Sequence, residues 1–301
     1  VAADVPESVV VIGNFDGVHR GHAEVIRTAR AVDPGARLVA VTFSPHPMSV
    51  IRPDQAPLVL TTPERRAELL RRVGVDEVVV VPFTPEVAGW SPERFVAEVL
   101  EPLHPVAVVV GENFRFGFRA AGTPATLAEL GAGRWKVHAL PLVTVDDRPD
   151  SSTLLREAVL AGELDRFRQL AGHEYQFGGV VVRGDQRGRE MGFPTANVPV
   201  PAGFAVPADG VYAGWVTRLD RPEAPHWPAA ISVGTNPTFD GVERRVEAYV
   251  LDRTDLELYG VEIAVVFVAR LRGQVKYEGM PALIAQMHQD VEEIRVILGR
   301  A

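Results

Sequence analysis

Two hydrophobic rhythms divide the chain. From residue 8 to about 142, short runs of consecutive apolar residues alternate with stretches whose apolar positions recur at helical spacing. The runs at 9–12, 38–43, 78–81, 106–110 and 137–140 predict strands, and 23–31, 63–73, 92–100 and 124–130 predict helices. In 23–31, for example, Val25, Ile26 and Ala29 share one face and leave Glu24, Arg27 and Arg30 to water. Ser91-Pro92 and Thr123-Pro124 mark two helix starts, with proline in the first turn. Strands that are apolar throughout, alternating with helices, predict an α/β domain whose parallel sheet is covered on both faces. Ligands of such sheets gather at the carboxyl ends of the strands.

The rhythm then changes. A helical run opens at 154–160, and 157–172 continues as helix on Ala158, Val159, Leu164, Phe167 and Leu170, ending near Gly172. This sets the expected domains at 1–172 and 173–301. Beyond the boundary, strand runs at 175–182, 210–217, 229–233, 246–251 and 261–269 follow one another with turns between, which predicts an antiparallel β-barrel or sandwich. A single closing helix at 281–298 carries Leu283, Ile284, Met287, Val291, Ile294 and Leu298 on one stripe.

Composition narrows the function classes. At 301 residues the chain accommodates two domains with sizeable cores. The absence of cysteine excludes disulfides, a thiolate nucleophile and cysteine-ligated zinc or iron–sulfur clusters, and is compatible with a reducing compartment. The densest apolar run, at 78–81, is strand-sized and predicts no membrane span. Asp4 and Glu7, without a basic cluster, do not read as a secretory signal. A net charge of −8 argues against a general nucleic-acid binder, yet leaves phosphate ligands open because local fields decide their binding. The pattern carries no signal of oligomeric state.

The candidate chemistry falls at strand ends. After the first strand comes Gly13-Asn14-Phe15-Asp16-Gly17-Val18-His19-Arg20-Gly21-His22, a glycine-punctuated loop feeding a helix. Such a unit delivers unpaired N–H groups and the positive helix end to one spot, which suits phosphate. After the second strand, His46 stands between two prolines, either as a rigid structural loop residue or as a functional one. After the fourth comes Gly111-Glu112-Asn113-Phe114-Arg115-Phe116-Gly117, where Asn113 reads as a ligand contact or an Asx-turn residue. Phe114 and Phe116 read as a stacking surface or as core, with at least one in the core.

Ser151-Ser152-Thr153-Leu154-Leu155-Arg156 combines hydroxyls at a helix start with a guanidinium, the elements of either a plain cap or a phosphate clamp. In the second half, Gly184-Asp185-Gln186-Arg187-Gly188-Arg189 is a basic loop. In Pro194-Thr195-Ala196-Asn197, an extended backbone would turn both oxygen-bearing side chains to one face. Oxygen ligands of this type suit Mg²⁺. Glu247, within an otherwise largely apolar strand, reads as a carboxylate that faces solvent or pairs with Arg244 or Arg245.

These strings together resemble the bacterial bifunctional riboflavin kinase/FMN adenylyltransferase (FAD synthetase) family. Gly13 to His22 resembles the signature of the nucleotidyltransferase superfamily, with His19-Arg20-Gly21-His22 as its H-x-G-H motif, and the serine-serine-threonine–arginine string as its second ATP signature. Asp150 departs from that second pattern, which usually has an apolar residue there. Gly192-Phe193-Pro194-Thr195-Ala196-Asn197 resembles the riboflavin kinase signature, and 207–212 and 233–239 resemble further blocks of the family. The resemblance implies a Rossmann-like nucleotidyltransferase domain followed by a kinase β-barrel, in a cytoplasmic enzyme that uses ATP and Mg²⁺ to convert riboflavin to FMN and FMN to FAD, with no nucleic-acid or membrane partner.

It further implies catalytic roles for His19, His22 and Glu247, and ATP binding by Gly13, Asp16, Gly17, Gly21, Ser152, Thr153, Arg156, Thr195 and Asn197. Thr195 and Asn197 would also hold the metal, and Asn113 and His46 would contact the flavin. Two rival readings share the architecture: an enzyme that keeps one activity or takes a flavin analogue, and a non-catalytic flavin-binding protein. Asp150 and Phe118 are where the first would show.

Overall fold

The structure is a computed structural model that describes residues 6–141, 144–145, 148–149, 151–184, 192–221, 223–238 and 241–299. It divides into two compact units, Val1–Leu154 and Leu155–Ala301.

In the first unit, β1 (Ser8–Ile12), α1 (Arg20–Val32), β2 (Arg37–Ser44), α2 (Pro47–Ile51), α3 (Pro63–Arg72) and β3 (Glu77–Pro82) follow in order. Two short turns, α4 (Pro85–Ala88) and α5 (Pro92–Phe95), lead to β4 (Pro105–Gly111), α6 (Pro124–Gly131) and β5 (Lys136–Leu140). A small ribbon, β6 (Thr144–Val145) with β7 (Arg148–Pro149), precedes α7 (Ser152–Ala161). The five main strands form one parallel sheet in the order β3-β2-β1-β4-β5. Alternate residues of the inner strands β1, β2 and β4 enter different cores: Val10, Val39, Val41, Val108 and Val110 one, Val9, Val11, Leu38, Ala40 and Val109 the other. Burial on both faces is why these strands read as unbroken apolar runs. The order reverses at β1, whose neighbours are β2 and β4, so the first loop emerges at the switch point of the sheet.

The second unit contains α8 (Leu164–Ala171), β8 (Tyr175–Val180), β9 (Thr195–Pro199), β10 (Gly210–Arg218), β11 (Trp227–Thr238), β12 (Gly241–Val250), β13 (Glu262–Arg272) and α9 (Met280–Leu298). Its six strands pair antiparallel in the order β8-β13-β10-β11-β12-β9. The two outer strands approach one another through a bridge between Val182 and Asn197, which partly closes the barrel. One stripe of α9, with Val291, Ile294 and Leu298, packs on Phe193, Ala213 and Leu251. Gly214 permits the close approach of β10 and β13, since a Cβ there would lie 2.0 Å from the Val266 carbonyl oxygen.

Two local readings change. The helix expected across 157–172 is broken between α7 and α8 at Gly162, whose φ of +74° leaves the right-handed region. A Cβ at Gly162 would stand 2.9 Å from the Tyr212 hydroxyl, so packing and backbone both demand glycine. β9 forms a strand that no apolar run marks, although 194–197 reads as an extended segment, because it is held by pairing with β12.

Candidate functional site

The loop after β1 packs its apolar side chains downward. Phe15 and Val18, both 2% exposed, sit in the core below α1 although each has a positive φ, 48° and 41°. Non-glycine residues adopt that region only where their surroundings fix it. His19 caps α1 and is buried, its Nδ1 accepting the backbone N–H of His22 at 3.4 Å. The His22 ring stacks on His19 with centroids 3.6 Å apart and meets the edge of Phe15 at 5.1 Å. Burial holds the His22 imidazole well below its ordinary pKa, reinforced by His19 and then by the Arg66 guanidinium. The Nδ1 of His22 is buried without a hydrogen-bond partner in the fold. The pair therefore offers one capping imidazole and one neutral imidazole at the start of a helix, where backbone N–H groups favour an anion.

The glycines and hydroxyls expected at this site gather around the same loop. The Gly13 N–H donates to the Val41 carbonyl, and the Phe15 ring lies 3.1 Å from where a Cβ on Gly13 would sit. Gly17 has φ +83° and donates its N–H to Thr61 Oγ1, while Gly21 is buried in the first turn of α1. Ser152 Oγ donates to the Asp16 carbonyl at 2.6 Å, bringing the start of α7 against a loop 136 residues away in sequence. Thr153 is exposed on the next position, and Arg156 is half-buried one turn further along the same helix.

Asp16 is turned inward. Its carboxylate, 1% exposed, accepts the backbone N–H groups of Leu60 and Thr61 and the Thr61 hydroxyl, at 2.9–3.1 Å. Arg66 of α3, 3% exposed, lies 3.8 Å from that carboxylate and donates to Thr42 Oγ1 and to the carbonyls of Phe43 and Thr61. Thr42 in turn donates to the Asn14 carbonyl. Neither Arg66 nor Thr61 stands out in the motifs. The available signal is the helical wheel, which puts Arg66 on the apolar stripe with Leu69 and Leu70.

At the end of β2, His46 caps α2 by accepting the Met48 N–H, and its Nε2 lies 3.3 Å from Asn14 Nδ2. It is thus tied to the first loop. Asn113 is exposed in the loop after β4. Phe116 is buried in the core and Phe114 is stacked on it at 5.6 Å, so one ring is core and the other lies half-buried over it. Phe118 is 51% exposed with the Arg119 guanidinium over its ring. Asp150, 185–190 and Phe239 lie outside the described residues.

In the second unit, a cavity of about 740 Å³ is walled by Gly184, Pro194, Thr195, Asn197, Arg253 and Tyr259 among others. Asn197, 6% exposed, donates its amide N–H to the Thr195 carbonyl and hydroxyl. That use of Nδ2 reserves Oδ1 as an acceptor. A Cβ on Gly184 would fall 2.6 Å from Oδ1, so the chain comes close to Asn197 only as glycine. Glu247 is half-buried directly opposite Asn197 in the β12–β9 pairing, which sends both side chains to one face of the sheet. The cavity wall includes Asn197, opposite Glu247 in the pairing, but not Glu247 itself. Among the described residues, no group of three or more His, Cys, Asp or Glu could hold a metal unaided.

Comparison with known proteins places both units. Residues 2–154 match the FAD synthetase family model, and residues 171–298 match the riboflavin kinase family model. A bifunctional riboflavin kinase/FMN adenylyltransferase of Listeria monocytogenes is 36% identical over 97% of this chain and 93% of its own length. The protein of that description from Bacillus subtilis is 33% identical over 95% and 91%. A crystal structure from Streptococcus pneumoniae, described as a macrolide-efflux protein, covers 96% of this chain and 94% of its own with a TM-score of 0.82 and 32% identity. Among the described residues here, no helix is long and apolar enough to cross a membrane.

Proposed function

The chain belongs to the bifunctional riboflavin kinase/FMN adenylyltransferase family, and on that premise we propose how its own residues divide the two reactions. The enzyme phosphorylates riboflavin to FMN and joins FMN to AMP from ATP, giving FAD and pyrophosphate.

Adenylyl transfer belongs to the loop after β1. A phosphate oxygen of FMN attacks the α-phosphorus of ATP and pyrophosphate leaves, so the protein has to hold the triphosphate in line and offset the charge that moves onto the leaving group. His19 and His22 at the start of α1, Ser152 and Thr153 at the start of α7, and Arg156 supply those donors. Gly13, Gly17 and Gly21 let the backbone approach. Asp16 acts from beneath, since its carboxylate is committed to Leu60 and Thr61. The observation that carries this reading is the 2.6 Å contact from Ser152 to the Asp16 carbonyl, which joins the two signatures at the switch point of the sheet. Asn113 and His46, on loops at the same edge, are assigned to the flavin.

Phosphorylation of riboflavin belongs to β9 and β12. Glu247 accepts the proton of the ribityl 5′-hydroxyl as that oxygen attacks the γ-phosphorus of ATP, the bond from the γ-phosphorus to the bridging oxygen breaks and ADP leaves. Thr195 and Asn197 suit Mg²⁺: they are hard oxygen donors, and the Asn197 amide nitrogen is already engaged, which leaves the oxygen for a ligand. When bound there, the ion would offset the negative charge of the phosphates. We place both reactions in the cytoplasm, with riboflavin, FMN, FAD and ATP as the small-molecule partners.

A chromatographic time course with riboflavin, ATP and Mg²⁺ tests the assignment. FMN should form first and FAD second. Turnover of neither flavin would return the chain to the non-catalytic reading.

A further inference from the structure

We propose that Arg66 is the positioning residue of the adenylyl-transfer site: from beneath the first loop, its buried guanidinium holds together the segments that present His19, His22 and the helix N-terminus to ATP. The inference rests on assigning that loop to FMN adenylylation.

Three segments meet at this side chain. The end of β2 receives two of its hydrogen bonds, to Thr42 Oγ1 at 3.1 Å and to the Phe43 carbonyl at 2.9 Å. The segment before α3 receives another through the Thr61 carbonyl. The first loop is reached through Asp16, 3.8 Å away, and through two hydroxyls that Arg66 also contacts. Thr61 Oγ1 donates to Asp16 and accepts the Gly17 N–H, while Thr42 Oγ1 donates to the Asn14 carbonyl. Residues 14, 16 and 17 are therefore each within two hydrogen bonds of one guanidinium. The planar fork of arginine makes several such contacts at once. Phe15 and Val18 hold unfavourable φ values within the segment so fixed, which identifies it as a part of the chain whose shape is imposed by its surroundings.

Its charge also has a use. Arg66 acts electrostatically on His22 together with the stacked His19, while Asp16 faces Arg66 from the loop. A buried cation beneath a triphosphate site adds attraction that water screens weakly. It touches no substrate, so its contribution passes through the loop and the field.

The test uses the full chain, with FMN formation from riboflavin as an internal control in every preparation. Arg66→Met should lower FAD formation from supplied FMN by about 100-fold, the loss expected when reacting groups are displaced by about an ångström. Arg66→Lys keeps the charge but not the planar fork, so its FAD formation should fall between that of Arg66→Met and that of the parent. Asp16→Asn/Arg66→Met removes both charges, so no carboxylate is stranded, and should fold while FAD formation stays low. FMN formation should be retained throughout.

Recovery of FAD formation in the double variant would overturn the proposal by reducing Arg66 to a partner of Asp16. So would equal losses in Arg66→Lys and Arg66→Met, or an Arg66→Met enzyme that makes FAD at the parent rate. Should Arg66→Met fail to fold, the double variant is compared with Asp16→Asn alone: lower FAD formation in the double variant supports the proposal, and equal rates overturn it. His22→Ala runs in parallel: if it still makes FAD, the assignment of the site has failed. If it makes none while Arg66→Met is fully active, only the present inference has.

Discussion

Glu247 and Asn197 stand directly opposite each other on adjacent antiparallel strands, the carboxylate on β12 and the amide on β9. A one-residue slip in that pairing would send one of them to the other face of the sheet. The register thus brings the proposed base next to a proposed metal ligand 50 positions earlier in the chain. Glu247→Gln keeps the shape and removes the proton acceptor. It should lower the rate of FMN formation by about 10²- to 10⁴-fold, with conversion of supplied FMN to FAD unchanged, as measured by separating the flavins chromatographically.

Asn197 also sets a limit on its neighbour. Because a Cβ at Gly184 would fall 2.6 Å from Asn197 Oδ1, Gly184→Ala should displace the amide oxygen. The expected result is a Mg²⁺ requirement for FMN formation raised by about 10-fold, read from rate against free Mg²⁺. Chelation of the metal should stop FMN formation in both proteins.

His22 links pH to stability. Its folded pKa lies well below the ordinary value of 6.5, so below pH 6.5 the unfolded chain binds a proton that the folded chain resists. Stability from this group is complete above the unfolded value and declines as pH falls toward the folded one. The free energy of unfolding should rise with pH in that window with a slope of at most about 1.4 kcal/mol per pH unit. Denaturant unfolding of the parent and of His22→Ala across the window measures the difference, and the variant should show the shallower slope.

Gly214 tests the barrel. An alanine Cβ there would lie 2.0 Å from the Val266 carbonyl and 2.4 Å from Ile231 Cδ1, so β13 must move or a core side chain must leave its rotamer. Gly214→Ala should destabilise the chain by about 1–3 kcal/mol, seen as a lowered denaturation midpoint.

Local patterns made much of this molecule legible. The three inner parallel strands, β1, β2 and β4, announce themselves because both faces of each are buried, and α1 and α9 because each buries one stripe. The helix break at Gly162 was not legible, since its cause is Tyr212, a contact across 50 residues. β9 was hidden for a similar reason: Thr195-Ala196-Asn197-Val198-Pro199 has little strand character of its own and is held by β12. The site divides the same way. The glycines and histidines of the first loop are contiguous and readable. Asp16, however, reads from the resemblance as an ATP-binding residue, and its inward support of Leu60 and Thr61 shows only in the fold, as does the place of Arg66 on those same contacts. Supporting residues drawn from distant segments leave no local string.

The two-site account is tested most directly by the product distribution of His22→Ala, given riboflavin, ATP and Mg²⁺ and analysed chromatographically over time. The account predicts that FMN accumulates at the parent rate and that FAD does not follow. FAD appearing at the parent rate would contradict it, because adenylyl transfer would then not depend on the loop at the head of α1.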